Sequence, residues 1–365
     1  MHESLIDFLK NKYQNWEFIS RAPEESAAET DDIIESAPRS EILHESSITI
    51  GEQYDTVYFI DGSESRYIVA TAELIEPTTS IQRQDSGTYP IAIGQTSVVA
   101  CRLNLSTSEF RTAECKEQIV IAVPSILDDK ECPPFRWPND YNRKEDVLIV
   151  NYNQDDNRTN LFDAAREAIH KIMRRDEDWI LKICLSKLTM EQNPLIIIDG
   201  KFQSRIPDMS PVLSINKKFD YTRLPYDTRD AIKRIKNNNN PMWSAPRLIN
   251  GSTSVWYVRL RDKDLYSNNT EPLEMNAGIV ECALMGDFSK NRTIINSCSH
   301  LLIKRLANPT CYNLDIKRWR THLYHMYLTE KTCKQKLISK HSLMRLIYGY
   351  KQAHRNRKCD STIAE

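Results

Sequence analysis

Two stretches decide the fold: Thr56-Val-Tyr-Phe-Ile-Asp61-Gly62 and Pro194-Leu-Ile-Ile-Ile-Asp199-Gly200. Each is a β-rich apolar run that delivers a carboxylate to a glycine. The second is continuously apolar, as a strand buried on both faces must be. After the first, Gly62-Ser-Glu-Ser65 reads as a turn and Arg66-Tyr-Ile-Val-Ala-Thr-Ala72 as the returning strand of a hairpin. Strand patterning returns over residues 97–105, 118–123, 147–150, 212–218, 254–261 and 278–284. A long amphipathic helix begins near Asn160. Its apolar positions are Leu161, Phe162, Ala165, Ala168, Ile169, Ile172 and Met173, continuing in phase through Trp179, Ile180, Ile183 and Cys184. Further helices are expected within 1–20 and over 292–307, 317–335 and 340–353, while 220–250 reads as polar and irregular. A β-meander, a helix, then alternating strands and helices predict an α/β fold, a mixed sheet with flanking helices.

The chain has 365 residues, 40% of them hydrophobic, enough for one large domain or two ordinary ones. No run approaches the length of a membrane span, and the opening residues lack the pattern of a signal peptide. Nine scattered cysteines, odd in number and without a Cys-x-x-Cys pair, predict free thiols and a cytoplasmic setting. With only nine glycines and no glycine-rich phosphate loop, any ATP-driven step is expected to belong to a partner. The net charge of −1 is a cancellation. Residues 1–73 carry sixteen acids against five bases, and residues 317–358 carry twelve bases and one acid, Glu330. The basic stretch suits either a solvated helical face or a grip on phosphates. Residues 1–47 read as an N-terminal helix and an acidic flexible segment, 48–353 as the main domain, and 354–365 as a tail.

If the strands ending at Asp61 and Asp199 lie side by side, their carboxylates converge. Convergent carboxylates repel unless a cation or a proton stands between them. Oxygen donors of this kind suit Mn²⁺ or Mg²⁺, and such ions activate water for phosphodiester hydrolysis. Asp-Gly after a strand is equally a turn signal. A third acid is expected from the intervening helix. At about 100° per residue, Glu177 falls at the border of the apolar stripe, Asp176 in the middle of it, and Asp178 toward solvent. A solvated cluster of i,i+3 and i,i+4 ion pairs is the plain alternative for this acidic run. Further along, Trp319, Leu323, Met326 and Tyr327 define a buried helix face that His322 borders, with His325 pointing away.

These residues resemble the NurA nuclease family. The likeness is carried by Phe-Ile-Asp61-Gly-Ser63, by Ile172-Met-Arg-Arg-Asp-Glu-Asp-Trp179 and by Leu-Ile-Ile-Ile-Asp199-Gly-Lys-Phe-Gln-Ser-Arg205. Arg320-Thr-His-Leu-Tyr-His-Met-Tyr-Leu-Thr-Glu330 is similar to a C-terminal helix of bacterial members. Val212-Leu-Ser-Ile-Asn-Lys-Lys218 is similar to a strand that ends in lysine. The resemblance covers roughly residues 50–345. It implies an RNase H-like fold, Mn²⁺-dependent nuclease activity on DNA, a homodimer, and partnership with a HerA-type hexameric ATPase that translocates DNA. The setting would be repair resection of DNA ends or antiviral defence.

On this reading Asp61, Asp199 and an acid near 177 hold the metal. Glu177 is favoured by the helix wheel and Asp178 by the family pattern, in which the acid directly precedes the tryptophan; Asp176 is the remaining candidate. His322 would assist in catalysis. Lys217 or Lys218 would neutralise charge on the phosphate, and basic residues after 317, Arg318 and Arg320 among them, would hold DNA. The rival from another class is a catalytically inactive adaptor that loads such a translocase onto DNA. An RNA-directed nuclease is a further alternative.

Overall fold

The computed structural model describes residues 5–12, 14, 16–20, 42–43, 54–74, 88–125, 135–136, 146–152, 160–188, 193–202, 206, 210–238, 240–262, 278–287, 292–307 and 316–345. The helices are α1 (Leu5–Lys12), α2 (Leu161–Lys187), α3 (Tyr226–Asn237), α4 (Arg292–Leu301), α5 (Ile316–Thr321) and α6 (Tyr324–Lys336). The first strands are β1 (Trp16–Ser20), β2 (Ile42–Leu43), β3 (Thr56–Leu74), β4 (Thr88–Asn104), β5 (Phe110–Pro124), β6 (Phe135–Arg136) and β7 (Asp146–Tyr152). After α2 come β8 (Pro194–Asp199), β9 (Val212–Asn216), β10 (Trp243–Ser244), β11 (Arg247–Ile249), β12 (Thr253–Arg259) and β13 (Ile279–Met285).

Among the described residues all the strands join one sheet, ordered β2-β10-β12-β13-β9-β8-β3-β4-β5-β7-β6, with β1 also on β3 and β11 on β12. Its centre is β5-β4-β3-β8-β9. There β3, β4 and β5 form an antiparallel meander, β8 lies parallel to β3, and β9 lies parallel to β8. Parallel neighbours require a crossover, and α2 supplies it between the meander and β8. This is a mixed sheet with flanking helices, as the sequence predicts. The N-terminal β1 and β2 belong to the same sheet as the rest.

The sheet is covered on both faces, as the continuous Leu195-Ile196-Ile197 run demands; all three are fully buried. Tyr58, Ile60, Val98 and Ala100 face α2 and pack with Met173, Ile180, Leu181 and Cys184. Val57, Phe59, Ile197, Leu213 and Val258 face the other way and pack with Ile295, Leu302, Leu323 and Met326. Asn160 caps α2, its side-chain oxygen accepting from the Phe162 N–H. The cysteines at 101, 115, 184, 282, 298 and 333 are free, as the sequence predicts.

Several expectations are corrected. No turn follows Asp61: β3 runs unbroken for 19 residues, and Gly62 pairs with Val98 of β4. Gly62 serves a close approach rather than a turn, as shown below. Within residues 1–20 the helix Leu5–Lys12 is followed by the strand Trp16–Ser20. The polar segment 220–250 contains α3, whose buried Thr228, Ala231, Ile232 and Ile235 form a short helical stripe. The Arg259 guanidinium, almost fully buried, caps the end of α3 by donating to the carbonyls of Ile235 and Lys236 at 3.0 and 3.1 Å. The helix expected over 317–335 breaks at His322-Leu323, where Arg261 donates to the carbonyls of Arg320 and His322 at 3.1 and 2.8 Å. Most of the acidic segment 21–47, and all of the tail 354–365, lie outside the described residues.

Gly94 fixes how closely α2 sits on the sheet. A Cβ there would meet Ile169 Cγ2 at 2.5 Å and the Ser65 carbonyl oxygen at 2.8 Å. Gly94→Ala therefore overpacks the interface, and equilibrium urea unfolding should show a loss of about 1–3 kcal/mol.

Candidate functional site

Parallel pairing of β3 with β8 runs from Thr56↔Pro194 to Ile60↔Ile198 and stops there. The next residues are Asp61 and Asp199. Alternation puts Asp61 on the face of Val57 and Phe59, and Asp199 on the face of Ile197, which is the same face of the sheet. Neighbouring strands lie about 4.8 Å apart, and the charge of Asp199 acts on Asp61, so the two carboxylates come together as the sequence predicts.

Glu177 arrives from the other side. It projects from α2 toward the strand at Gly62, where a Cβ would stand 2.6 Å from its Oε1 and 3.1 Å from Met173 Cγ. The missing side chain at 62 is the opening through which the third acid approaches. Burial of α2 shifts round the helix along its length, from Ala165, Ala168, Ile169 and Ile172 to Met173, Ile180, Leu181 and Cys184. That drift takes Glu177 inward and brings Asp178 to the border.

The three acids sense one another. Burial pushes the Asp61 carboxyl well above the usual carboxylate range; the charge of Asp199 raises it further, Lys217 opposes, and Glu177 raises it again. Glu177 is also pushed up by burial, against the pull of Arg174. Arg174 Nη1 donates to Glu177 Oε2 at 2.9 Å, and the Lys217 ammonium bonds Asp199 Oδ2. Lys217 follows β9, whose Ile215 pairs with Asp199, so the strand register delivers it to that carboxylate. Gly62 N–H donates to Asp61 Oδ1 at 2.9 Å. Beside them lies a cavity of about 20 Å³, room for roughly one water, lined by Glu177, Asp178, Asp199, Arg174, Lys201 and apolar neighbours.

Among the described residues no three His, Cys, Asp or Glu side chains are gathered into a group that holds a metal as they stand. The carboxylates are close enough to shift one another but are engaged by Arg174 and Lys217. The donor chemistry nonetheless fits a hard divalent ion: oxygen ligands only, buried, with like charges that only a cation or proton relieves.

The remaining candidates separate. Asp176 is fully buried and turns away, its Oδ1 accepting from Lys116 of β5 at 2.7 Å while Oδ2 has no hydrogen-bond partner. Asp178 is half-buried at the cavity rim, where the wheel placed it in solvent. His322 is buried at the α5–α6 junction, its Nε2 3.9 Å from Glu330, which also bonds Lys334 at 2.8 Å. His325, read as pointing outward, instead stacks on Phe59 with ring centres 5.5 Å apart, and burial lowers its pKa to about 4. Lys218 is exposed. Arg320 is not a surface cation for DNA; it is 8% exposed, in contact with the interior behind Arg261. Arg318 lies in α5. Sequence reading missed Arg174, although its i,i+3 spacing from Glu177 was a visible signal.

The raised carboxyls set a direction for pH dependence. Asp61 holds its proton to higher pH in the fold than in the unfolded chain, where the value is about 3.9. Its contribution to stability is therefore complete below that value and is lost as pH rises through the folded one. In chelator, melting temperature should fall as pH climbs from acid toward neutral. Asp61→Asn should flatten that slope and raise the melting temperature at neutral pH; a variant that melts lower across the range contradicts the repulsion.

Comparison with known proteins adds a structural likeness. No family model matches the chain, and no curated protein matches it. Among solved structures it is similar to the crystal structure of the NurA nuclease from Sulfolobus solfataricus, with a TM-score of 0.41 and 10% sequence identity, over 84% of this chain and 85% of that one.

Proposed function

We propose that this chain is a divalent-metal-dependent nuclease that hydrolyses phosphodiester bonds of DNA. One observation carries the reading: Asp61 and Asp199, adjacent on parallel strands, share a buried locus with Glu177 from the crossover helix. Asp61, Asp199 and Glu177 would hold Mn²⁺ or Mg²⁺, with Asp178 at the rim as a further oxygen donor. The ion, when bound, supplies Lewis-acid activation of water and phosphate. The chain's own groups do the rest. Arg174 and Lys217, which now balance Glu177 and Asp199, are cations able to move onto the phosphate and neutralise the charge that builds there. Apolar Ile60, Ile198, Leu181 and Ile206 around the cavity limit the access of bulk water. Lys218, exposed beside Lys217, is placed to meet the backbone of the substrate. A HerA-type translocase and a second copy of this chain complete the proposed assembly, with end processing or antiviral defence as its setting.

The alternative is an adaptor that has lost the chemistry. It is favoured by the same two ion pairs, since Lys217 and Arg174 already neutralise the carboxylates without any metal. Calorimetry separates the readings: the nuclease takes up Mn²⁺ and loses that uptake in Asp199→Asn, whereas the adaptor shows no carboxylate-dependent uptake.

On single- and double-stranded DNA, the wild-type chain should degrade substrate with Mn²⁺ and not with chelator. Asp61→Asn and Asp199→Asn should each fall to background while still melting cooperatively. Substantial residual activity in either variant means that the site lies elsewhere.

A further inference from the structure

Trp179 is one of three large hydrophobic side chains left exposed among the described residues, with 46% of its surface open. It sits on the outer side of α2, next to Asp178 at the cavity rim. Its indole has a cation on one face. The Lys116 ammonium lies 4.8 Å from the ring centre, and Lys116 is itself tied at 2.7 Å to the fully buried Asp176. A buried carboxylate thus anchors a lysine, and the lysine takes one face of an exposed ring.

Cations surround that ring. At helical spacing Lys171, Arg175 and Trp179 (i, i+4, i+8) form one row, and Lys182 lies one turn further, beside it. Lys171 and Lys182 are exposed, and the Arg175 side chain is 54% exposed. The acids nearby are Asp176, buried under Lys116; Asp178, turned to the cavity; Glu114 of β5, paired with Lys187; and Glu167, one turn before Lys171, so that the four cations outnumber the acids left unpaired around the ring. The outer face therefore presents positive charge around a flat, preorganised aromatic surface. Bases stack on aromatic side chains and phosphates pair with cations, which is how single strands are held without sequence preference. Duplex DNA keeps its bases stacked inside and has no use for such a ring.

We propose that the Lys171–Arg175–Trp179–Lys182 face of α2, with Lys116, binds single-stranded DNA, one base stacking on Trp179 while the strand passes over the rim toward the carboxylates. This deepens the nuclease reading by naming the form of its substrate, and it rests on that reading for the choice of DNA.

Binding is measured by fluorescence anisotropy with a labelled oligo-dT in chelator, so that no hydrolysis enters. Trp179→Ala should weaken binding by about 5- to 100-fold, and Trp179→Phe should retain most of it. Replacing Lys171, Arg175 and Lys182 with Gln should reduce the slope of log K against log salt by about 0.7 per cation removed. Blunt duplex DNA should bind more weakly and be indifferent to Trp179→Ala. The inference is overturned if Trp179→Ala binds oligo-dT as wild type does, or if the salt slope does not change. It is overturned equally if oligo-rU binds more tightly than oligo-dT. Circular dichroism verifies that the exposed substitution leaves the fold intact. Because the assay needs no catalysis, this inference can fail while the Asp61 and Asp199 variants still lose nuclease activity. It can also hold in a chain that shows no nuclease activity at all.

Discussion

Keeping three carboxylates of like charge within reach of one another inside a protein is the constraint on which the rest depends. Each acid that is buried loses hydration, and each neighbour of the same sign adds to that cost. The fold meets the demand by drawing the acids from separate elements. Asp61 and Asp199 stand where two parallel strands part, and Glu177 is carried in on the crossover helix. Arg174 and Lys217 travel with the acids they balance, one a helical turn away from Glu177 and one just past the end of the strand beside Asp199. A site built this way needs the parallel β3–β8 pair, and that pair needs the crossover. The architecture and the chemistry therefore share one origin.

The two Asp-Gly dipeptides show how much of this was legible and where reading failed. Both looked like strand ends. At Gly200 the backbone does turn, with φ at 87° and nothing near the position a Cβ would take. At Gly62 the strand continues, and the glycine exists because Glu177 and Met173 occupy the space of a side chain. Local sequence carries the absence of the Cβ but not its cause, since the cause lies on a helix more than a hundred residues away. The convergence of Asp61 and Asp199 was legible because it needed only two apolar runs and one helix between them. The α3 helix was overlooked behind a polar composition, although Thr228, Ala231, Ile232 and Ile235 had the spacing of a buried stripe.

Charge was the least legible property. The excess of bases after 317 suggested a grip on DNA, yet Arg320 is inside, and Lys336 bonds Glu117 of β5 at 2.9 Å. Lys336 balances an acid distant in sequence, which a count along the chain cannot register. The histidines illustrate the same point in apolar form. His325 lies against Phe59 and Phe110, and its outward direction on a helical wheel meant nothing once the sheet lay beneath that side.

The acidic run Asp176-Glu177-Asp178 brings these strands of argument together. Successive helical residues point about 100° apart, so three adjacent acids cannot all face the same way. Asp176 reaches β5 and holds Lys116; Glu177 reaches the gap at Gly62; Asp178 borders the cavity. What reads as one solvated cluster is three separate placements, each set by what the helix rests against at that angle. A single helix of this kind can address the buried carboxylates on one side and hold a lysine against Trp179 on the other. The route from the outer surface to the site then crosses no more than the width of α2, about 10 Å. The exposed tryptophan and the inward-facing glutamate, two residues apart, thus stand on opposite sides of one helix.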